Sequence, residues 1–220
     1  MSAPIRVVLV DDQGLFRAGI RMLVDSQADL EVVGEASDGA EGVEVIRSTR
    51  PDVVLMDIRM PRMDGLAATA AILADPVDEA SAGPPRIVML TTFDLDEAAA
   101  RAIRQGASGF LLKDADPEFL LAAIRTVHFG SAVIAASATR DLFAATTPAP
   151  TPVPPSYTTL TDREREIFAL AARGLSNAEI AAREFLSEAT VKTHISRILA
   201  KLSLRDRVQL VVFAFEHGLA

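Results

Sequence analysis

The chain contains no cysteine, and this absence excludes a disulfide framework and any metal site built from thiolates. Its apolar runs are short, and none approaches the ~20 residues that a membrane-spanning helix requires. The first residues pass from a short apolar stretch directly into acidic residues, which is not the pattern of a secretory signal peptide. These absences predict a cytoplasmic protein without a membrane partner.

The net charge of −8 is distributed unevenly along the chain. Residues 156–220 hold nine basic and eight acidic side chains, whereas residues 1–155 hold thirteen and twenty-two. Within the C-terminal part, residues 187–207 hold five basic side chains and two acidic ones. A local basic surface on an acidic protein predicts a polyanionic partner at that end, although a solvated helix face would carry the same charges.

A proline-rich segment separates two parts of the sequence. Five prolines fall within residues 148–155, and this composition disfavours helices and central strands but favours an extended polyproline II spacer. We therefore predict a first domain over residues 1–130, a linker over 131–157 and a second domain over 158–220.

Strand and helix patterns alternate five times before the linker. The predicted strands are 5–10, 31–36, 53–57, 87–91 and 109–112, and the predicted helices are 14–26, 39–49, 64–75, 95–105 and 117–129. Five strand–helix units with short connections predict an α/β fold, in which helices cover both faces of a parallel sheet. The one long connection, 75–85, is predicted to be a surface loop without an assigned function.

Polar side chains follow or end four of these strands. Asp11 and Asp12 follow the first strand, Asp57 ends the third, Thr91 ends the fourth and Lys113 follows the fifth. Because the carboxyl ends of parallel strands lie at one edge of a sheet, we expect these five side chains to converge on one cleft. Carboxylates there would repel each other by about 4 kcal/mol per pair at ~4 Å, unless a cation or a chemical modification compensates.

The residue types in this cleft suit the transfer of a phosphoryl group to a carboxylate. Asp11 and Asp12 offer hard oxygen ligands to Mg²⁺, and Asp57 is a candidate nucleophile for an aspartyl phosphate. Lys113 offers a mobile positive charge for phosphoryl oxygens, and Thr91 offers a hydroxyl group. A lone Asp at a strand end is usually a cap or turn residue, but five polar residues at matching strand ends favour a shared site.

Four motifs in this part of the chain resemble the receiver domain of bacterial response regulators. They are the Asp11-Asp12 pair, DIRMPRMDGL at 57–66, LTTF at 90–93 and GASGFLLKD at 106–114. The resemblance covers roughly residues 5–130, and it implies a doubly wound five-stranded sheet of order 2-1-3-4-5. It also implies that a sensor histidine kinase phosphorylates Asp57.

The same resemblance implies roles for individual residues. The implied ligands of Mg²⁺ are the side chains of Asp11, Asp12 and Asp57 and the backbone carbonyl of Arg59. Thr91 would move toward the phosphoryl group and Phe110 would change rotamer with it, although an aromatic residue there also suits an ordinary core. Asp114 stands where a proline often follows the lysine, and the sequence leaves open whether the Lys113–Asp114 peptide bond is cis.

Only helical patterns follow the linker. The pairs Thr161–Glu164 and Ser176–Glu179 predict capping boxes that open two helices. A third helix, over 188–201, is capped by Ser187 and has its apolar residues on one stripe, and a fourth spans about 205–217. A short helix, a tight turn and a longer helix with a basic outer face form the helix-turn-helix arrangement.

Residues 160–166, 174–181 and 187–202 resemble the LuxR-type DNA-binding domain, so the whole chain resembles a response regulator of the NarL/FixJ type. The resemblance covers about 158–217 and implies binding to double-stranded promoter DNA. The predicted DNA contacts are Lys192, Thr193 and Ser196 nearest the bases and Thr190, Arg197 and Lys201 toward the backbone. The last helix resembles the dimerisation helix of this family, which predicts a homodimer of the phosphorylated protein. Glu184 departs from the apolar residue that the family more often carries there.

These features predict a phosphorylation-dependent transcription regulator, not an enzyme, with self-phosphorylation and self-dephosphorylation at Asp57 as its only turnover. A phosphohydrolase with an Asp nucleophile would typically need an acidic group two residues later, where this chain has Arg59. A constitutive DNA binder with an inert receiver conflicts with the intact set of polar residues. A helical module that binds protein in place of DNA remains an alternative for the second domain.

Overall fold

A computed structural model describes residues 3–74, 83–91, 97–130 and 151–219, and it describes side chains in all of these ranges except 97–100. The chain divides into two compact units, Met1–Phe129 and Gly130–Ala220. Most of the predicted loop over 75–85 and most of the predicted linker over 131–157 lie outside the described residues, as do residues 92–96.

The first unit alternates strands and helices as predicted. Its strands are β1 (Ile5–Val10), β2 (Leu30–Ala36), β3 (Val53–Asp57), β4 (Arg86–Thr91) and β5 (Gly109–Leu112), and its helices are α1 (Gly14–Asp25), α2 (Gly39–Thr49), α3 (Gly65–Ala74), α4 (Glu97–Arg104) and α5 (Pro117–His128). Every predicted element in this unit is confirmed, and wherever a predicted end lies within the described residues it differs by at most one residue.

All strand pairs in this sheet are parallel, and the strand order is β2-β1-β3-β4-β5. The predicted order is therefore confirmed. Successive residues of a strand point to opposite faces, yet Val53 and Val54 of β3 are both completely buried. Helices must therefore cover both faces of the sheet, which explains why its central strands are continuous apolar runs and do not alternate with polar residues.

Over the described residues 151–219 of the second unit, the chain forms a bundle of four α-helices, α6 (Asp162–Ala172), α7 (Asn177–Glu184), α8 (Glu188–Leu202) and α9 (Arg207–Glu216). The two predicted capping boxes are confirmed: Thr161 and Glu164 open α6, and Ser176 and Glu179 open α7. Ser187 caps α8 by accepting a hydrogen bond from the backbone N–H of Thr190.

Residues at the end of the predicted linker pack on this helical unit. Pro155–Thr159 form a 3₁₀ turn, and the ring of Tyr157 lies 5.3 Å from the ring of Phe168 in a T-shaped contact. Further upstream, the backbone N–H of Thr151 donates to the carbonyl oxygen of Glu216 at 2.7 Å. The chain is therefore fixed to the helical unit several residues before α6 begins.

A buried arginine holds α9 against the start of α7. Arg207 donates from Nη1 to the side-chain oxygen of Asn177 at 2.9 Å and from Nη2 to the carbonyl oxygen of Leu175. Burial lowers the pKa of Arg207 to about 10, against the opposing effect of Glu179. These hydrogen bonds fix the helix-turn-helix relative to the last helix.

Within the described residues, no helix combines the length and the apolar character needed to cross a membrane.

Candidate functional site

Three carboxylates meet where β1 and β3 end. One oxygen from each of Asp11, Asp12 and Asp57 can be chosen so that all three atoms lie within 4.8 Å of one another. Asp11 and Asp57 are buried, whereas Asp12 is exposed. The register of the two strands explains this proximity. Val10 pairs with Met56, so the residues that follow this pair, Asp11 and Asp57, are neighbours.

Lys113 reaches into the same cluster from the end of β5. Its Nζ lies 2.7 Å from Oδ2 of Asp57 and 2.7 Å from Oδ2 of Asp11, and its side chain is 6% exposed. The ammonium group also lies 5.0 Å from the centre of the Phe16 ring, a distance that allows a cation–π interaction. One lysine against three carboxylates leaves two negative charges, so the donor set suits a divalent cation bound by oxygen ligands.

Burial and neighbouring charges determine the pKa values in this cluster. Burial raises the pKa of Asp57 and the charge of Asp11 raises it further, while Lys113 and the backbone N–H of Arg59 act in the opposite direction. Burial lowers the pKa of Lys113, but the hydrogen bonds and charges of Asp11 and Asp57 outweigh this effect and raise it. Lys113 is therefore a permanent cation, and an additional positive charge would favour the ionised form of Asp57.

The loop after β3 folds back closely on Asp57. The backbone N–H of Arg59 donates to Oδ1 of Asp57 at 3.3 Å, and the backbone N–H of Gly65 donates to the carbonyl oxygen of Ile58 at 2.9 Å. A Cβ added to Gly65 would overlap the carbonyl oxygen of Asp57. Glycine is therefore required here by the close approach of two backbones.

An ion pair that sequence analysis missed holds this loop in place. Asp38, which is fully buried, accepts hydrogen bonds from the backbone N–H groups of Ala40 and Glu41 at 2.8 and 3.1 Å and pairs with Arg62 of the loop. Arg62 has a left-handed φ of 64°. The cap signature of Asp38 before α2 is visible in the sequence, but its partner across the fold is not.

Thr91 and Phe110 are diagonal neighbours on one face of the sheet. Met89 pairs with Phe110 and Thr91 pairs with Leu112, so Thr91 and Phe110 point to the same side. Both side chains are buried. The backbone N–H of Lys113 donates to the carbonyl oxygen of Thr91 at 2.7 Å, and the Lys113–Asp114 peptide bond is trans. The structure therefore brings Asp11, Asp12, Asp57 and Lys113 together. It places Thr91 at the end of the neighbouring strand β4, with Phe110 diagonal to it.

The predicted DNA-reading face of α8 lies opposite its buried stripe. Val191, Ile195, Ile198 and Leu202 are buried in the core of the helical unit. The predicted contacts Lys192, Thr193, Ser196, Arg197 and Lys201 are exposed, and Thr190 is partly exposed beside the Ser187 cap. Five residues of the predicted set thus share an accessible face of one helix.

Lys201 differs from the rest of this set because it is bound within its own unit. Its Nζ lies 2.6 Å from the carboxylate of Glu164 and donates to the carbonyl oxygen of Thr159 at 3.2 Å. The hydrogen bond from Lys201, followed by those from Thr161, lowers the pKa of Glu164 to about 2. Lys201 therefore joins the end of α8 to the start of α6.

Two family comparisons cover most of the chain. Residues 7–125 match the response regulator receiver domain, and residues 158–214 match the bacterial regulatory proteins of the luxR family. The fold and the two sites define a receiver followed by a helix-turn-helix module.

Individual relatives match the chain over nearly its full length. The transcriptional regulatory protein YxjL of Bacillus subtilis is 43% identical over 218 residues, which cover 98% of this chain and 97% of that protein. The nitrate/nitrite response regulator protein NarL of Escherichia coli is 36% identical over 213 residues, covering 97% and 96%. The chain belongs to the NarL/FixJ-type response regulators of two-component systems, which join a receiver to a LuxR-type DNA-binding domain.

Solved structures agree with this assignment. The crystal structure of the response regulator ChrA from a haem-sensing two-component system is 37% identical, covers 100% of both chains and has a TM-score of 0.51. The receiver domain of the putative response regulator NarL from Mycobacterium tuberculosis is 36% identical with a TM-score of 0.53, covering 59% of this chain and 99% of that one.

Proposed function

We propose that Asp57 accepts a phosphoryl group from a sensor histidine kinase, with Mg²⁺ as cofactor, and that this modification alters dimerisation and DNA binding by the helical unit. The observation that carries the proposal is the cluster of Asp11, Asp12 and Asp57 around Lys113. Its surplus of two negative charges fits a divalent cation, and its buried carboxylate lies beside a lysine that can neutralise an incoming phosphoryl oxygen.

The transfer breaks a phosphorus–nitrogen bond and forms a phosphorus–oxygen bond. An oxygen of Asp57 attacks phosphorus as the bond to the kinase histidine nitrogen breaks, and that nitrogen leaves with the electron pair and takes a proton from water. The carboxylates of Asp11, Asp12 and Asp57, with the backbone carbonyl of Arg59, would hold Mg²⁺, which would supply positive charge to the transferring oxygens.

Lys113 and Thr91 would then bind the new phosphoryl oxygens. Lys113 has only to move its ammonium group from the Asp57 carboxylate to the phosphoryl group attached there. Thr91 would turn its hydroxyl toward the same oxygens, and Phe110 would repack because it shares a sheet face with Thr91. A modification of charge about −1.5 to −2 would thus bias a packed, two-state region of the receiver.

The helical unit would read promoter DNA with α8. Lys192, Thr193 and Ser196 would lie nearest the base edges, and Thr190 and Arg197 would lie toward the phosphates. The bonds of Lys201 to Glu164 and Thr159 make it a structural residue first and a phosphate contact second. Pairing of two copies would place two such helices on neighbouring half-sites, which supports the proposed homodimer.

Catalytic turnover of other substrates is not part of this proposal. The residue two positions after Asp57 is Arg59, so the site offers no general acid at that position for a leaving group. We expect only self-phosphorylation and self-dephosphorylation, and p-nitrophenyl phosphate should not be hydrolysed above the rate of an Asp57→Asn control.

The direct experiment is incubation of the full chain with a small phosphodonor and Mg²⁺, followed by intact-mass and light-scattering measurements. The wild type should gain the mass of one phosphoryl group and shift toward dimer, and chelation of Mg²⁺ should prevent both changes. Asp57→Asn should show neither. A mass gain of equal size in Asp57→Asn would contradict the assignment of the phosphoacceptor.

A further inference from the structure

One exposed aromatic residue lies at the turn of the helix-turn-helix. Phe185 follows α7 and precedes α8, and it is 96% exposed, more than any other large apolar side chain among the described residues. Its backbone is left-handed, with φ 56° and ψ 41°. Bulky residues rarely adopt this conformation, which glycine and asparagine tolerate better. The fold therefore holds a strained backbone and a solvated ring at the same position.

The residues on each side of Phe185 are anchored to the helical unit. Arg163 bonds the Glu184 carboxylate at 2.6 Å and the Glu184 carbonyl oxygen at 3.2 Å. On the other side, the backbone N–H of Leu186 donates to the carbonyl oxygen of Ala181 at 2.9 Å, and Leu186 packs against the core. Because both neighbours are fixed, the ring of Phe185 is directed outward by a rigid turn and cannot fold into the core.

The same ion pair explains the departure at Glu184. Arg163 of α6 binds the carboxylate of Glu184, whose side chain remains 22% exposed. An ion pair therefore holds residue 184 at the surface, and the next residue, Phe185, is an apolar side chain of this turn that stays exposed.

The location of Phe185 indicates which part of a bound duplex its ring would contact. It stands two residues before Ser187, the cap of the helix whose outer face carries Lys192 and Arg197. In a helix-turn-helix, the N-terminal end of this helix contacts base edges in the major groove. Apolar side chains, phenylalanine among them, contact the 5-methyl group of thymine there.

We propose that Phe185 contacts duplex DNA, through the 5-methyl group of a thymine at the edge of the half-site. This inference rests on the proposed DNA-binding function and adds a residue that determines sequence preference. The left-handed backbone is consistent with such a role, because strained conformations persist at functional sites where the surrounding structure enforces them.

The test separates a contact with DNA from a structural role. The wild-type full chain, treated with Mg²⁺ and a small phosphodonor, is used to select a duplex from a random pool, and its Kd and Tm are compared with those of Phe185→Asn. Asparagine tolerates the left-handed backbone, so Phe185→Asn should raise Tm by a few degrees. It should nevertheless weaken binding about fivefold or more. Phe185→Leu should retain more of the affinity than Phe185→Asn.

Ser203→Asn is the matched control. Ser203 caps the C-terminal end of α8 with a similar left-handed φ of 55°. Asparagine at this position should therefore also raise Tm, but without changing Kd. Replacing thymines one at a time by deoxyuridine, which lacks the methyl group, should weaken binding of the wild type at one position and leave Phe185→Asn unaffected there.

Different outcomes contradict different claims. Wild-type affinity in Phe185→Asn, or the same loss on methyl removal in both proteins, would overturn the contact with thymine. Unchanged Kd with reduced transcription in a reconstituted assay would show that Phe185 meets a protein instead, and would also overturn it. Failure of the wild type to enrich any duplex would refute the proposed DNA-binding function itself. If the wild type does enrich a duplex, the comparison with Phe185→Asn tests only the inference on Phe185.

Discussion

Lys113 is the single residue on which the electrostatics of the cleft depend most. It is the cation placed 2.7 Å from both Asp11 and Asp57, and both of those carboxylates are buried. Removing one partner of a buried ion pair leaves an uncompensated charge, whose cost exceeds the net value of the pair itself. The same surplus of negative charge that makes Lys113 necessary for stability also makes the cleft suitable for Mg²⁺.

Lys113→Met should therefore destabilise the receiver by about 3 kcal/mol when Mg²⁺ is absent. Millimolar Mg²⁺ should restore part of this loss, because the cation compensates the same carboxylates. Urea denaturation with and without Mg²⁺ measures both effects. Lys192→Met, at an exposed position of α8, should change stability by less than about 0.5 kcal/mol and should not respond to Mg²⁺. Equal stability of Lys113→Met and wild type without Mg²⁺ would contradict this view of the cluster.

Among the elements of the fold, the turn from β3 into α3 has a strict steric requirement. Gly65 lies against the carbonyl oxygen of Asp57, and Asp38 and Arg62 hold the intervening loop from the side of α2. Asp57, the proposed phosphoacceptor, is thus positioned by backbone contacts as well as by its strand. In the helical unit, the ion pair between Lys201 and Glu164 likewise holds two elements together, the end of α8 and the start of α6.

Gly65→Ala should cost about 3 kcal/mol of stability, because its added methyl group must displace the backbone of Asp57. It should also slow phosphorylation by a small phosphodonor. Gly19→Ala is the matched control, since Gly19 lies inside α1 with open space around its Cα. That substitution should stabilise the protein by about 0.5–1 kcal/mol. Thermal unfolding and the rate of mass gain measure the contrast, and equal behaviour of the two variants would be evidence against it.

Glu164→Gln should destabilise the helical unit by about 1 kcal/mol at neutral pH, because it weakens the capping box of α6 and removes the charge that binds Lys201. The folded pKa of Glu164 is about 2, below its ordinary value of 4.5. Its stabilising contribution is therefore complete above pH 4.5 and is lost as the pH falls toward 2. The difference in Tm between wild type and Glu164→Gln should shrink over that interval.

Glu188→Gln is the control for this pH dependence. It makes the same chemical change at an exposed acidic residue in the first turn of α8. We expect Glu188→Gln to change the free energy of unfolding by no more than a few tenths of a kcal/mol, and its Tm correspondingly little. If the effect of Glu164→Gln were constant between pH 7 and pH 3, the ion pair with Lys201 would not be its source.

Across the full chain, the parts that sequence patterns predicted are those with local causes. Buried apolar runs located β1 and β3, parallel pairing then placed Asp11, Asp12 and Asp57 together, and helix caps located α6 and α7. These features need only the two periodicities of secondary structure and the rules for parallel sheets.

The parts that the sequence did not predict are partnerships between distant side chains. Asp38 with Arg62, Glu164 with Lys201 and Glu184 with Arg163 join different elements. No spacing rule brings such residues together, because their distance depends on how the elements pack. The exposure of Phe185 was missed for the same reason, since an aromatic residue beside Leu186 suggests a core until both of its neighbours are seen to be anchored.

The account as a whole requires that chemistry at Asp57 changes how α8 meets DNA. The most direct measurement is the Kd of the full chain for a duplex selected by the wild type, determined before and after treatment with a small phosphodonor and Mg²⁺. We predict that treatment changes the Kd of the wild type at least tenfold, and that Asp57→Asn keeps one Kd throughout. A wild-type Kd that does not change although intact mass shows complete phosphorylation would contradict the account.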